Sequence, residues 1–335
     1  MEILSFFPFI VSFFVILLAM PWWIKKAKMV GLVWKDFNKF SEKMVAGGGG
    51  LIVIFGFLIG ILFFIMIRIF WYSDTSTSLQ LMAIITSILI ISIIGFIDDL
   101  LVKRSGDLYV GFKQWQKPLL TLIAALPIVV INAGVSQINI PLFGLVDLML
   151  FYPFLIVPVF IVVASNAFNL IAGYNGLEAG MGIIMTFTLG FLAWTNGLGW
   201  LAVVAFCMGF SLLAFYFFNR VPAKVFPGDI LTYSVGALLG ILGIIGNMEG
   251  AVIILFIPYG FEFFLKLRGK LKKQSYALPN ENGTIIPRYK KVYGVEHFMH
   301  RFLIKLGIRV TEKRLVWSIL IIEILLAFIV LLIYA

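Results

Sequence analysis

Long apolar runs broken by short polar segments dominate the chain. Ten runs read as helices buried in hydrocarbon: residues 3–23, 48–70, 79–97, 118–133, 150–165, 178–195, 199–217, 230–246, 249–267 and 315–334. A helix needs roughly 20 apolar residues to cross a bilayer. The fourth and fifth runs are short for a crossing and are expected to tilt or pack irregularly. Pro127, Pro153, Pro158 and Pro258 fall inside runs, where neighbouring helices can re-satisfy the freed backbone groups. The expected fold is an all-α membrane protein of about ten transmembrane helices, forming one domain over residues 1–335. The polar segments between runs are numbered here as loops 1 to 9. Loop 9, residues 267–314, is the longest. In it, Asn280-Glu281-Asn282-Gly283 predicts a hairpin turn. Val295, Phe298, Met299, Phe302 and Leu306 follow at helical spacing and predict an amphipathic helix on the membrane surface. Loop 9 reads as an insert covering a substrate site.

Composition sharpens the class. Hydrophobic residues make up 62% of the 335 residues and charged ones 13%, against about 25% charge in soluble domains. The net charge of +10 raises nucleic acid as a partner, but the placement of the charge argues against it. Loops 1, 3, 5, 7 and 9 hold 6, 4, 0, 2 and 13 Lys and Arg, with Lys266 counted in the last, which is 25 of the 26. The exception, Arg68, lies near the outer end of the second run, where its side chain can snorkel to the headgroups. By the positive-inside rule the odd loops are cytoplasmic and both termini outside. The first run follows Glu2 and precedes Lys25, Lys26 and Lys28, the reverse of a cleavable signal, so it is expected to remain as a span. Cys207, the only cysteine, reads as a packing residue.

Polar chemistry follows the same parity. Clusters of acids and amides occur in odd loops, as expected of an enzyme acting on cytoplasmic substrates. A transporter would place ionisable groups at the midplane of several helices. Here Glu262, four residues before Lys266, reads as a structural ion pair, and Glu323 as facing a partner helix or a second copy in a homodimer. Loop 1 ends in Ser41-Glu42-Lys43 and Gly47 to Gly50, without the Gly-Lys-Ser/Thr ending of a phosphate-binding Walker loop. Loop 3 opens on Asp98-Asp99, with Lys113 and Lys117 downstream. Adjacent carboxylates suit Mg²⁺ when phosphate is the substrate. Loop 5 carries Asn166, Asn169 and Asn175-Gly176 without any cation, and amides at a helix end in lipid call for a partner. Loop 7 reads Asn219-Arg220-Val221-Pro222-Ala223-Lys224-Val225-Phe226-Pro227-Gly228-Asp229. Asp229 there reads either as a helix cap or as a metal ligand facing Asp98 and Asp99. His297 and His300 with Glu296 are too few for a convincing zinc site.

Taken together, the Asp98-Asp99 pair, the Asn166-to-Gly180 string and Phe226-Pro227-Gly228-Asp229 resemble the polyprenyl-phosphate sugar-1-phosphate transferases. The wording Ala172-Gly173-Tyr174-Asn175-Gly176-Leu177-Glu178-Ala179-Gly180 looks like their eukaryotic and archaeal branch. The resemblance implies a UDP-sugar donor, a polyprenyl phosphate acceptor set in membrane lipid, and Mg²⁺, with Mn²⁺ as an alternative. It implies that Asp98 and Asp99 are the catalytic pair, that Lys117 contacts phosphate, and that Asn169 and Asp229 hold the metal. Phe226 would stack on uracil and Asn175 bond the nucleoside, with Asn166, Glu42, Gly47 and Gly48 near the donor. The bacterial His-x-His-His cluster of loop 9 survives only as His300, with Arg301 beside it and Phe298 at the first histidine position. Lys272 and Arg288 are the candidates for the eukaryotic loop-9 cations. GlcNAc-1-phosphate transfer to dolichyl phosphate is the first expectation, at the cytoplasmic face of a prokaryotic plasma membrane. Undecaprenyl phosphate or a MurNAc-pentapeptide donor is the alternative within the class, and a non-enzymatic transporter the one outside it.

Overall fold

The computed structural model describes residues 3–41, 43–104, 111–140 and 144–335. After a 3₁₀ turn at Ile3–Phe6, α1 (Phe7–Met29) leads into a hairpin of β1 (Val33–Lys35) and β2 (Met44–Ala46). Then come α2 (Gly50–Tyr72), α3 (Ser78–Arg104) and α4 (Gln116–Val130). A second hairpin, β3 (Gln137–Ile140) with β4 (Gly144–Asp147), precedes a π-helical turn at Tyr152–Ile156 that runs directly into α5 (Val157–Phe168). Next are α6 (Leu177–Thr195), α7 (Gly199–Asn219), α8 (Asp229–Gly246), α9 (Glu249–Leu255) and α10 (Ile257–Arg268). A third hairpin, β5 (Leu278–Pro279) with β6 (Ile285–Ile286), leads to α11 (Val295–Lys305) and α12 (Glu312–Tyr334).

Among the described residues seven helices are long and apolar enough to cross a membrane: α1 with its leading turn, α2, α3, α6, α7, α8 and α12. The ninth run is not one straight span. It divides at Phe256 into α9 and α10, bent by 53°, and counts as an eighth crossing only if the two halves are taken together. The two short runs are helical, but α4 has only 15 residues, about 22 Å at 1.5 Å each, short of a ~30 Å hydrocarbon core.

α8 is the hub, buried along almost its whole length and packed against α3 and α5. Small residues make this possible, because close backbone approach is the main source of helix attraction in lipid. A Cβ on Gly236 would lie 2.5 Å from the carbonyl oxygen of Ala164 on α5. A Cβ on Gly95 of α3 would lie 2.7 Å from the backbone of Asp229 and Ile230. These two contacts bring the cytoplasm-predicted ends of α3, α5 and α8 together.

Loop 9 carries the expected turn, with the Asn280 N–H donating to the Thr284 carbonyl at 2.8 Å. Its amphipathic helix is built differently from the expectation. Val295, Met299 and Leu303 face inward together with Glu296, His297 and His300, while Phe298, Phe302 and Leu306 are exposed. Glu323 is fully buried among this chain's own helices. The hairpins β1–β2 and β3–β4 have no counterpart in the apolar pattern, since three- and four-residue strands are too short to show a period.

Candidate active site

The cytoplasm-predicted ends of α3, α4, α5 and α8 converge on the floor of a cavity of about 630 Å³. The α3 helix continues past the expected end of its run, so Asp98 and Asp99 sit on its last turns rather than in a loop. Consecutive helical residues point about 100° apart, and the two acids part accordingly. The Asp98 carboxylate pairs with the Lys117 ammonium of α4 at 2.8 Å and accepts the Phe112 N–H at 2.8 Å. Lys117 also reaches Asp229, at 3.1 Å. One ammonium is therefore clamped between two carboxylates 131 positions apart in the chain.

Asp99 faces the other way. Its carboxylate accepts the N–H groups of Asp229 at 2.8 Å and Ile230 at 3.3 Å. These first amides of α8 have no partner within the helix, and a carboxylate there also meets the positive end of the helix dipole. Gly228 makes room for it, with φ of +76° and a hypothetical Cβ only 2.3 Å from Asp99 Oδ2. Asp229 is thus the first residue of α8, and Asp99 supplies its cap.

Asn169, the C-cap of α5, lines the floor and accepts the Thr232 hydroxyl of α8 at 3.0 Å. Asn166, one helical turn earlier, is aimed elsewhere: its amide donates to the Thr121 hydroxyl at 2.9 Å and the Val162 carbonyl at 2.8 Å. It fastens α5 to α4 and does not line the cavity.

The opposite end of the cavity is formed by the loop-1 hairpin against loop 5. Buried Asp36 accepts the Asn175 amide at 2.9 Å and the Asn38 N–H at 3.1 Å. The Asn38 side chain donates to the Gly173 carbonyl at 2.6 Å. The Asn175 N–H donates to Glu312 of α12, which also pairs with Lys39. Glu178 accepts the Gly173 N–H at 2.9 Å, and Asn219 accepts the Gly176 N–H at 3.1 Å. These bonds tie loop 1, loop 5 and the ends of α6, α7 and α12 into one wall. Tyr174 links it to loop 9 by donating to the Ser275 carbonyl at 3.2 Å and accepting the Ala277 N–H at 2.9 Å. Burial holds its phenol above the ordinary tyrosine range. Loop 9 adds Gln274 and Tyr276 to the lining.

Asp36, Asn38, Thr232, Tyr174 and Tyr276 escaped the sequence reading. The signal available for the first two was the Asp36-Phe37-Asn38 triplet between aromatic Trp34 and Phe40. Conversely, four expected loop-9 contacts lie away from the cavity lining. His300 bonds the Ile285 carbonyl of β6 at 2.9 Å, and burial pulls its pKa down. Arg301 donates to the Tyr289 carbonyl at 3.0 Å. Arg288 donates to the Tyr276 carbonyl at 3.1 Å and Gln274 at 2.6 Å, so it braces two lining residues from behind. Lys272 is exposed. Gly47 and Gly48 lie behind the cavity wall, where Trp34 covers the first. Phe226 lines the cavity. Glu42 lies outside the described residues.

The donor set suits a hard divalent cation. Asp98 and Asp229 offer carboxylate oxygens and Asn169 an amide oxygen, all at the cavity floor. No three His, Cys, Asp or Glu side chains among the described residues are placed to share an ion. That is the usual situation for Mg²⁺, which takes one or two carboxylates and completes its octahedron with substrate phosphate and water.

Comparison with known proteins matches residues 81–247 to the model of glycosyl transferase family 4. A Saccharolobus solfataricus protein named as a candidate UDP-N-acetylglucosamine–dolichyl-phosphate N-acetylglucosaminephosphotransferase is 36% identical over 280 residues, 83% of this chain and 82% of the relative. A protein of the same name from Sulfolobus acidocaldarius is 31% identical over 278 residues, covering 82% and 81%. The phospho-N-acetylmuramoyl-pentapeptide-transferase of Streptococcus thermophilus is 30% identical over 262 residues, covering 76% and 75%.

Proposed function

The chain belongs to glycosyl transferase family 4, and from that premise we propose that it moves GlcNAc-1-phosphate from UDP-GlcNAc to dolichyl phosphate, releasing UMP. The reaction would run at the cytoplasmic face of a prokaryotic plasma membrane, with both termini outside. The observation that carries this reading is the Lys117 ammonium held between Asp98 and Asp229 where three helix ends meet the cavity. The choice of sugar and lipid follows the two archaeal relatives and the loop-5 wording, and the absence of the bacterial histidine cluster supports it.

Phosphoryl transfer calls for positioning and charge neutralisation more than covalent help. An acceptor phosphate oxygen forms a bond to the β-phosphorus, the bond from that phosphorus to the bridging oxygen breaks, and its electron pair leaves with UMP. A phosphate monoester is largely dianionic near neutral pH, so no base is strictly required. Lys117 offers its ammonium to the incoming phosphate, shared with the two carboxylates that orient it. Asp98 would align the attacking oxygen or accept a proton from a monoprotonated acceptor. Asp99 holds the first turn of α8, and with it Asp229, in register. Mg²⁺, bound by Asp229, Asn169 and Asp98, would neutralise charge on the pyrophosphate. Asp36, Asn38 and Asn175 shape the nucleoside end.

The test is UMP release by purified protein in detergent with UDP-GlcNAc, dolichyl phosphate and Mg²⁺. Release that requires the lipid and is abolished by EDTA is expected. Activity with a different UDP-sugar or with undecaprenyl phosphate would correct the substrate. Silence with every donor and lipid in folded protein would overturn the transferase reading.

A further inference from the structure

Gly47 explains the shape of the cavity wall at its nucleoside end. The β1–β2 ladder pairs Trp34 with Val45 and continues through the Gly47 N–H to the Leu32 carbonyl at 2.9 Å. On the far side of β2, Val225 pairs in parallel with Ala46, and the Phe226 N–H donates to the Ala46 carbonyl at 2.8 Å. Side chains alternate across a sheet. By that alternation Trp34 and Phe226 come to the face of position 47 from the two strands that flank it. A Cβ there would fall 1.2 Å from Cζ3 of Trp34, so the indole lies directly on the glycine backbone. That backbone is itself fixed, because Trp23 donates its indole N–H to the Gly47 carbonyl at 3.0 Å. Both Trp34 and Phe226 line the cavity.

We propose that Trp34 joins Phe226 as a second stacking ring for the donor's planar base, and that the missing side chain of Gly47 makes the room the indole occupies. The inference rests on the nucleotide-sugar reading and adds Trp34 as a base-stacking residue that sets donor affinity. Rigid aromatic faces recognise bases because every base has a π-face, at about 1–3 kcal/mol per stacked base. With about 1.4 kcal/mol per tenfold, Trp34→Ala should raise KM for the UDP-sugar and weaken UMP binding about 5- to 100-fold, with kcat at saturation changed far less. Trp34→Phe should restore most of the affinity. Gly47→Ala should reproduce the loss while leaving Trp34 in the chain, because the new methyl occupies the space of the ring. The double variant Gly47→Ala, Trp34→Ala should then be no worse than Trp34→Ala alone.

UMP binding, read by quenching of tryptophan fluorescence and by calorimetry, tests this without turnover. Wild type should be quenched and Trp34→Phe should lose that part of the signal while still binding. Wild-type UMP affinity in folded Trp34→Ala, or additive losses in the double variant, would overturn the stacking wall and leave the transferase reading intact. No binding of UMP to the wild type would overturn both. Should Trp34→Ala fail to fold, Trp34→Phe and Gly47→Ala decide the matter by the same two measurements.

Discussion

Replacing Asp99 by asparagine should separate a helix cap from a reacting group. In the folded protein the Asp99 carboxylate accepts the Asp229 and Ile230 N–H groups at 2.8 and 3.3 Å. A hydrogen bond to a charged acceptor contributes about 1.5–3 kcal/mol net, and a longer neutral one about 1 kcal/mol or less. Asparagine keeps one acceptor oxygen but turns an NH₂ donor toward the second N–H and removes the charge at the helix start. The expected loss is about 2 kcal/mol of stability, seen as a fall of several degrees in thermal unfolding in detergent. The α8 N-terminus carries Asp229, and a shift of about 1 Å in a positioned group can reduce turnover ~100-fold. UMP release should therefore fall about 10- to 100-fold together with the melting temperature. Asp99→Ala, which deletes both bonds, should lower both further. An Asp99→Asn protein with wild-type melting and no turnover would refute the cap, because the carboxylate would then be acting on the reacting atoms. Wild-type melting with wild-type turnover would refute it equally.

Asp98→Asn should give a different signature, with turnover reduced by about 10²–10⁴-fold, the range for a positioned acid or base, well beyond the loss that its lower melting temperature accounts for. The check is UMP release beside thermal unfolding of the same sample. Gly236→Ala should destabilise by about 1–3 kcal/mol, since its Cβ would meet the Ala164 carbonyl at 2.5 Å; unfolding temperature reads it, and a neutral result would deny the α5–α8 contact. Burial, and Glu262 beside it, hold the Glu296 carboxyl on α11 well above the ordinary range. The folded state therefore keeps a proton that the unfolded chain releases above about pH 4.3. Stability should fall as pH rises from there toward the folded pKa, and Glu296→Gln should flatten that slope in melting measured between pH 5 and 8.

The apolar runs translated into helices because transfer into hydrocarbon is a sum over neighbouring residues, legible within any 20-residue window. What those windows could not show is where a helix stops relative to a polar pair. Asp98 and Asp99 stand side by side in the chain, yet one pairs with Lys117 and the other caps α8, because α3 runs on past its apolar segment. The loop-1 hairpin was invisible for a different reason. Its three-residue strands carry no readable period, and Asp36 becomes a site residue only through Asn175, 139 positions away.

The sequence alone determined the membrane class, the helical runs, the polar strings that carry the family resemblance, and the hairpin turn of loop 9. Those are consequences of local solvation and local turn chemistry. Only the tertiary structure decided which members of each string face the cavity. Asn169 lines it while Asn166, one turn away, bonds Thr121 on α4. His300 turns into the β6 carbonyl, and Trp34 packs against Gly47. Such choices depend on how closely backbones distant in the chain approach one another. In this protein, Gly95 and Gly236 set that approach through the space a missing Cβ leaves.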